Sequence, residues 1–215
     1  MTMRILITAG PTREYIDDVR FLSNASSGRM GYALAAAAID SGHEVVLVTG
    51  PVELQPPEGC EVFAIETTDQ LRRTCLDLFP ACDGVIATAA VCDYRPERRV
   101  TGKITKNGQP IVLQLVETSD VLAELGACKE HRWIVGFALE SQDPRNNAMR
   151  KLRMKKCDYI VLNDTSAISS LSNSIEILSP QAKTVGTFAG TKVDVARDLL
   201  KFIESAVTPS GRNTV

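Results

Sequence analysis

The sequence predicts an α/β protein with a Rossmann-like, doubly wound, mostly parallel sheet that carries a small flap and hairpin extension. The first observation is a series of short apolar runs that do not alternate with polar residues, as expected of strands covered on both faces. The second is that amphipathic helical patterns separate these runs, which favours parallel strands joined by helices. The third is an apolar content of 44%, typical of a globular protein.

Six apolar runs are predicted to form the central sheet. They cover residues 5–7, 44–48, 61–65, 84–88, 133–138 and 159–162. Weaker strands are expected at 111–116 and in a terminal hairpin of 175–178 with 184–188, both standing apart from the central sheet.

Amphipathic patterns predict five helices between and after these strands, at residues 28–41, 69–79, 119–127, 144–156 and 192–206. Gly42 ends the first helix in the manner of a C-terminal glycine cap. We expect residues 1–207 to form a single domain and residues 208–215 to be a flexible C-terminal tail.

Charge and cysteine content narrow the classes of function. The net charge of −2 gives no basic field for nucleic acid, so cations that bind an anionic ligand must be local. No apolar run is long enough to cross a bilayer, and no membrane partner is expected. Six cysteines without a CxxC pair, in a chain that begins directly with a strand pattern, predict reduced thiols and a cytoplasmic protein. His43 and His131 are far apart, which argues against zinc.

The loop after the first strand argues against dinucleotide binding. A dinucleotide site needs GxGxxG between strand and helix, and an acidic residue after the second strand. Here the first strand ends in Thr8-Ala9-Gly10-Pro11-Thr12, and the helix begins only near Gly28. The second strand ends in Val48-Thr49-Gly50 without a carboxylate. The connection exceeds the usual ~2–6 residues, so we expect a structured functional loop. An NAD(P)-dependent reductase remains a second hypothesis.

Ser26, Ser27 and Gly28 directly precede the first helix and allow two interpretations. The serines could cap the helix by accepting its free N–H groups. Alternatively, the N–H groups, the hydroxyls and the helix dipole could together bind phosphate. The position at the carboxyl end of the first strand of a doubly wound sheet favours phosphate binding.

Several long motifs closely resemble the phosphopantothenoylcysteine synthetase family, also called phosphopantothenate–cysteine ligase. They are residues 7–14 (ITAGPTRE), 19–20 (VR), 23–24 (SN), 26–31 (SSGRMG), 89–95 (AAVCDYR), 103–106 (KITK), 136–140 (GFALE) and 151–155. The resemblance extends over about residues 4–205 and points to the bacterial type.

The resemblance implies a two-step ligation in coenzyme A biosynthesis. The carboxylate of 4′-phosphopantothenate attacks the α-phosphate of CTP, and pyrophosphate leaves. The amine of cysteine then attacks the acyl-cytidylate, and CMP leaves. Magnesium is implied as the companion of the triphosphate, although the sequence identifies no metal ligand. No flavin is expected, and a homodimer is. A non-catalytic nucleotide-binding subunit is a third hypothesis.

Two residues match the catalytic positions of the family, Asn24 and Lys103. Asn24 would contact the acyl intermediate, and Lys103 would neutralise charge on the transferring phosphate. Both are implied to bind phosphopantothenate together with Lys106. Lys103 and Lys106 lie in a polar stretch, residues 98–108, that is predicted to be a flexible flap. Thr105 replaces a lysine that is common in the family.

A larger set of residues matches the nucleotide-binding positions of the family or their immediate surroundings. The set is Gly10, Ser26, Ser27, Gly28, Ala87, Thr88, Ala89, Asp93, Lys103, Ser119, Asp120, Val121, Leu122, Phe137, Lys151 and Lys155. Lys151 and Lys155 are four residues apart on a predicted helix and so share one face. Ser119 replaces a proline of the family, and Cys92, which replaces an alanine, is interpreted as a packing residue.

Overall fold

The computed structural model describes residues 1–140, 142–163 and 172–207. Within these ranges the strands are β1 (Arg4–Ala9), β2 (Arg13–Tyr15), β3 (Phe21–Ser23), β4 (Glu44–Thr49), β5 (Glu61–Ala64), β6 (Gly84–Ala87), β7 (Tyr94–Pro96), β8 (Leu115–Glu117), β9 (Trp133–Leu139), β10 (Tyr159–Asn163), β11 (Ser172–Leu178) and β12 (Thr184–Thr191). The helices are α1 (Arg29–Asp40), α2 (Thr68–Leu78), α3 (Val121–Ala127), α4 (Pro144–Met154) and α5 (Lys192–Val207). The predicted tail, residues 208–215, lies outside the described residues.

The central sheet has eight strands in the order β12-β11-β10-β9-β6-β1-β4-β5. The six strands from β5 to β10 are parallel to their neighbours, and β11 and β12 are antiparallel. The chain builds outward from β1 through β4 to β5 and then crosses to β6 on the other side of β1. This arrangement confirms the predicted doubly wound fold and creates a crevice at the carboxyl ends of β1 and β6.

Two apolar layers cover the sheet, one on each face. Ile5 and Ile7 of β1 pack on one face with Leu34 of α1 and Leu199 of α5. Leu6 points to the opposite face, where α2, α3 and α4 contribute the apolar side chains. Successive strand residues alternate between faces, so a run such as Ile5-Leu6-Ile7 is apolar throughout only when both faces are covered.

The prediction that the terminal hairpin stands apart from the central sheet is wrong. β11 pairs with β10, and β12 pairs with β11, so the hairpin extends the central sheet. Ile175 and Ile177 are buried in the same apolar layer as Leu199 and Leu200 of α5. The alternating pattern of β11 is that of a strand with one buried face, and the returning helix α5 supplies the cover.

The strand predicted at 111–116 is mostly wrong. Only Leu115–Glu117 forms a strand, β8, which pairs with β7 outside the central sheet. Val112 is 92% exposed, so the apolar run before β8 has no strand or core to pack against. The sequence analysis also missed the short strands β2, β3 and β7, whose three-residue length gives little periodicity to detect.

The long first loop is structured, as expected, by the β2–β3 hairpin. Asp17 is fully buried in its turn and accepts hydrogen bonds from the N–H groups of Val19 at 2.8 Å and Arg20 at 2.7 Å. Burial alone raises the pKa of Asp17, but the hydrogen bonds from Val19, Ile104 and Arg20 outweigh it and hold the pKa well below its usual range.

The predicted flap, residues 98–108, is held against this hairpin. Asp17 Oδ2 accepts the N–H of Ile104 at 3.1 Å. Asp18 accepts the N–H of Gly102 at 2.7 Å and the guanidinium of Arg99 at 2.9 Å. Its pKa is lowered by the hydrogen bond from Gly102 and then by Arg99. Two carboxylates of the first loop therefore position the flap.

Candidate functional site

A cleft of about 790 Å³ opens at the carboxyl edge of the sheet. Thr8 of β1, Ala87 of β6, Phe137 of β9 and Asn163 of β10 each line it from the last residues of their strands. This edge is where ligands bind in open α/β sheets, and the volume suits a ligand of nucleotide size.

Nearly all the predicted site residues meet in this cleft. Those that line it are Asn24, Ser26, Ser27, Gly28, Ala87, Thr88, Ala89, Asp93, Ser119, Asp120, Val121, Leu122, Phe137, Lys151 and Lys155. The structure thus brings together segments that are far apart in sequence, although each segment's role in binding stays a prediction.

Of the predicted nucleotide-binding residues outside the flap, only Gly10 does not line the cleft. Its carbonyl accepts the N–H of Ala90 at 2.9 Å, which ties the first loop to the segment after β6. A Cβ atom on Gly28 would lie 3.3 Å from the nitrogen of Gly10, so the two glycines pack closely together. Gly10 supports the first loop through these two contacts. The prediction that it contacts a nucleotide does not fit this position.

The start of α1 faces the cleft without a side-chain cap. Its N-cap residue is Gly28, which has a left-handed φ of 72°. The first helical bond runs from the N–H of Tyr32 to the carbonyl of Gly28, so residues 29–31 have no helical acceptor for their N–H groups. Ser26 Oγ accepts from the N–H of Gly28 at 3.4 Å, and no side chain caps α1. The capping interpretation is therefore wrong for α1, and phosphate binding by the SSG motif stays a prediction.

α1 approaches β1 unusually closely at Gly31. A Cβ atom there would lie 2.5 Å from the Cβ of Ala9 and 2.6 Å from Thr88 Oγ1. Thr88 is itself fixed, because its hydroxyl donates to the carbonyl of Thr8 at 2.6 Å. The glycine lets the helix start sit directly against the strand ends that form the floor of the cleft.

Asn24 lies at the cleft, where its amide is held by backbone. Nδ2 donates to the carbonyl of Ala90 at 3.2 Å and to that of Val91 at 2.8 Å. Both N–H bonds of the amide are therefore engaged in this state, and its oxygen is the atom that can accept from a ligand. Donation from Asn24 to a ligand carbonyl would require one of these two bonds to be exchanged.

Lys151 lies on α4 and Lys155 directly follows this helix; both line the cleft, each beside a carboxylate. Lys151 Nζ lies 2.5 Å from Glu140, and Lys155 Nζ lies 3.1 Å from Asp120. Asp120 also accepts the N–H of Ala123 at 3.1 Å and caps α3. The two ammonium groups are oriented by these partners, and a phosphate would compete with the carboxylates for them.

Lys103 and Lys106 do not line the cleft. Lys103 is exposed, and Lys106 borders a smaller hollow of about 270 Å³ together with Ile104, Ile111 and Arg20. The structure does not bring the two flap lysines to Asn24, so their predicted contacts with phosphopantothenate stay a prediction. The physical reason for this placement is the docking of the flap on the β2–β3 hairpin.

The polar residues of the cleft that were missed in the sequence include Arg29, Lys192 and Asn163. Arg29 is the first residue of α1, Lys192 is the first residue of α5, and Asn163 ends β10. Among the described residues, Asn163 Oδ1 is buried without a hydrogen-bond partner. Asn163 ends a parallel strand at the ligand-binding edge, a signal that was available in the sequence. Lys192 gave no such signal, because the position of α5 depends on the tertiary fold.

Cys92 has the packing role predicted for it. It is 5% exposed, and its N–H donates to Thr12 Oγ1 at 2.8 Å. Burial raises the pKa of its thiol, which disfavours a thiolate nucleophile.

No group of three or more metal-binding side chains occurs in the part of the chain that the structure describes. None of the helices in that part is long and apolar enough to cross a membrane.

Comparison with known proteins agrees with this geometry. The chain is 38% identical over 215 residues to the coenzyme A biosynthesis bifunctional protein CoaBC of Bacillus subtilis, covering 98% of this chain and 53% of that protein. It therefore spans about half the length of the curated relatives that it matches.

Two solved structures share its fold over nearly the whole chain. The C-terminal domain of a coenzyme A biosynthesis bifunctional protein CoaBC matches with a TM-score of 0.81 and 38% identity, and 95% of each chain is covered. The DNA/pantothenate metabolism flavoprotein from Streptococcus pneumoniae matches with a TM-score of 0.82 and 24% identity, covering 95% of this chain and 99% of that one.

The family resemblance carried by the first-loop, SSGRMG and GFALE motifs is confirmed over almost the same residues for which it was stated. Residues 1–207 match the sequence profile of one family. With the doubly wound sheet and the cleft at its carboxyl edge, this match shows that the chain belongs to the DNA/pantothenate metabolism flavoprotein C-terminal domain family.

Proposed function

We propose that this chain is a phosphopantothenate–cysteine ligase that acts in coenzyme A biosynthesis. The observation that carries the proposal is the cleft itself, which gathers the SSG helix start, Asp93, Phe137 and the lysines of α4. It is supported by the 38% identity to proteins named for coenzyme A biosynthesis. Neither a dinucleotide loop nor an acidic residue at the end of β4 supports the reductase alternative.

The proposed reaction has two balanced steps. A carboxylate oxygen of 4′-phosphopantothenate attacks the α-phosphorus of the nucleotide, the bond to the β-phosphate breaks, and pyrophosphate leaves with the electron pair. The amine of cysteine then attacks the acyl carbon, an amide forms, and the nucleoside monophosphate leaves. The amine loses one proton in this second step.

In this proposal the start of α1 binds phosphate oxygens. The free N–H groups of residues 29–31 and the helix dipole supply positive potential without bringing in a nucleophile. Lys151 and Lys155 bind further oxygens by exchanging their carboxylate partners for phosphate. Asn24 binds the acyl carbonyl by exchanging one of its hydrogen bonds to the carbonyls of Ala90 and Val91.

Lys103 acts only after the flap has moved towards the cleft. Its charge would offset the negative charge that builds up between carboxylate and triphosphate. The hydrogen bonds that Ile104 and Gly102 donate to Asp17 and Asp18 hold the flap against the β2–β3 hairpin and would have to break for this movement. Lys106 would then reach the phosphopantothenate from the same flap.

CTP is the proposed nucleotide, with Mg²⁺ bound to it as part of the substrate. Mg²⁺ commonly binds substrate phosphates and waters together with only one or two carboxylates. Asp93, Glu117 and Asp120 line the cleft and could make such contacts, although Asp120 is also paired with Lys155. The ion would draw charge from the phosphate oxygens.

A homodimer is also proposed, on the basis of an exposed apolar surface. The surface consists of Phe21 and Tyr94 on the two small hairpins and Ile111, Val112 and Leu115 after the flap, which are all 39–92% exposed. β2 of one hairpin contacts β7 of the other, so the two hairpins that carry Phe21 and Tyr94 lie side by side. A cytoplasmic location is proposed because all six cysteines are free thiols.

The test is pyrophosphate release by the purified chain with phosphopantothenate, Mg²⁺ and each of the four common nucleoside triphosphates in turn. Release with CTP alone, followed by a cysteine adduct in mass spectra, would establish the ligase and its nucleotide. Lys103→Ala should lower kcat by about 10²–10³-fold, whereas Lys201→Ala, on an exposed face of α5, should have no effect. No release with any nucleotide would refute the proposal.

A further inference from the structure

Glu140 ends the GFALE motif, and the proposed reaction does not use it. It directly follows β9, and its side chain is only 15% exposed. Its Oε1 atom is buried, and among the described residues no hydrogen bond of normal geometry reaches it. The ammonium of Lys151 compensates its charge, with Nζ 2.5 Å away, and Lys151 also lines the cleft. The Glu140 carboxylate and a ligand in the cleft therefore share one cation.

The neighbouring pair of Lys155 and Asp120 differs in how its carboxylate is solvated. Asp120 is 50% exposed, and it also accepts the N–H of Ala123 at 3.1 Å. If Lys155 turns to a phosphate, water and this N–H group still solvate Asp120. Glu140 has no such replacement among the described residues, so the loss of Lys151 would leave a largely buried carboxylate uncompensated. Exchange of partners therefore costs more at Lys151 than at Lys155.

This cost falls on any ligand that takes over the ammonium of Lys151. The Glu140 carboxylate lowers the affinity for such a ligand, because the ligand must offset the loss of the ion pair. The ammonium itself is 39% exposed, and ion pairs with an exposed partner contribute little to stability. An effect on ligand affinity therefore explains the position of Glu140 better than an effect on stability does.

We infer that Glu140 is a positioning residue that competes with the nucleotide for Lys151 and thereby lowers nucleotide affinity. The inference rests on the proposed function, in which Lys151 binds a phosphate oxygen. Before binding, Glu140 holds the ammonium at the cleft. During binding the ammonium transfers its contact to the phosphate, and it returns to Glu140 when the product leaves. This return favours release of the product that contacts Lys151. Affinity that substrate and product share would not speed the chemical step.

The Glu140→Gln variant should bind CTP more tightly than the unsubstituted chain, by about fivefold to tenfold, the scale of one charged hydrogen bond. Glutamine has nearly the same shape, and its side-chain oxygen can still accept from Lys151. One of the two products, CMP or pyrophosphate, should gain affinity by a similar factor. Asp120→Asn should gain less, about twofold, because Asp120 is the more exposed carboxylate.

The experiment is calorimetric titration of the full chain with CTP, CMP and inorganic pyrophosphate in the presence of Mg²⁺. Lys151→Ala and the double variant with Glu140→Gln complete a double-mutant cycle. The gain in CTP affinity from Glu140→Gln should vanish when Lys151 is absent. Glu58→Gln removes an exposed carboxylate outside the cleft, so it is the matched control and should leave all affinities unchanged.

Unchanged or weaker CTP binding by Glu140→Gln would overturn the inference. So would a gain that persists in the Lys151→Ala background, because it would reflect only the general loss of a negative charge. CTP binding needs neither phosphopantothenate nor cysteine, so the inference and the proposed function can fail separately. Tighter CTP binding by Glu140→Gln, without any ligation product from the unsubstituted chain, would refute the proposed function and leave the role of Glu140 standing.

Discussion

The starts of α1 and α2 satisfy their N–H groups in opposite ways. α2 has a complete capping box, in which Thr67 Oγ1 accepts the N–H of Gln70 and the Gln70 side chain accepts the N–H of Thr67. α1 has Gly28 in a left-handed conformation and no side-chain cap. α2 follows β5 of the central sheet and α1 follows the β2–β3 hairpin, and of these two helix starts only that of α1 opens into the cleft.

The contrast indicates which polar groups serve the fold and which are available to a ligand. A capped helix start gains stability from its own side chains. An uncapped start beside a cleft leaves N–H groups and the helix dipole available to an anion. The β2–β3 hairpin belongs with α2 in this respect, because Asp17 binds the N–H groups of its own turn.

The largest expected effect is at Gly31, where α1 touches β1. Gly31→Ala would place a Cβ atom 2.5 Å from that of Ala9, so the helix start must move away from the sheet. We expect the free energy of unfolding to fall by about 2–3 kcal/mol and the pyrophosphate release to fall with it. Urea unfolding measures the change in the free energy of unfolding. Asp40→Ala, at the exposed end of α1, is the control, and an unaltered stability of Gly31→Ala would contradict the close approach.

A smaller effect is expected at Gly28, the open N-cap. Gly28→Ala forces a left-handed φ on alanine, which costs about 1–2 kcal/mol. The new methyl group also meets Val52 Cγ1 at 3.0 Å at the edge of the phosphate region. The KM for nucleotide should rise by roughly tenfold. Steady-state kinetics test this, and a variant that loses stability but keeps its KM would remove α1 from the binding site.

The capped helix provides the converse prediction. Thr67→Ala removes the side-chain acceptor of the α2 start and should lower the unfolding free energy by about 1 kcal/mol. Nucleotide KM and kcat should stay unchanged, since Thr67 is not a cleft residue. Thr67→Ser should restore most of the stability. If Thr67→Ala instead impaired nucleotide binding, the division between the two helix starts would be wrong.

The smallest effect is expected on the stability that Asp17 contributes when pH is varied over the neutral range. The pKa of Asp17 is lower in the folded than in the unfolded protein, so its carboxylate stabilises the fold above the unfolded pKa of about 3.9. The stability difference between the unsubstituted protein and Asp17→Asn should therefore be constant above about pH 5 and shrink as pH falls below about 4. Unfolding measured across pH tests this; a decline between about pH 8 and about pH 6 would assign the stabilisation to another group.

Local patterns were sufficient for the central strands and for the SSG site. Ile5-Leu6-Ile7 identified β1 because an apolar run of this length needs cover on both faces. Ser26-Ser27-Gly28 identified the helix start because small residues at that point leave backbone exposed to a ligand. The short strands β2, β3 and β7 escaped detection, since three residues do not establish a period.

The sequence by itself determined the sheet, its family and most residues of the cleft, because these depend on periodicity and on contiguous motifs. The tertiary structure decided the rest. It joined β11 and β12 to the sheet edge, docked Lys103 and its flap away from the cleft, and brought Lys192 beside Arg29 from the far end of the chain. These placements depend on which helix covers which face and on which carboxylate binds which loop. No local pattern in the sequence contains such long-range pairings.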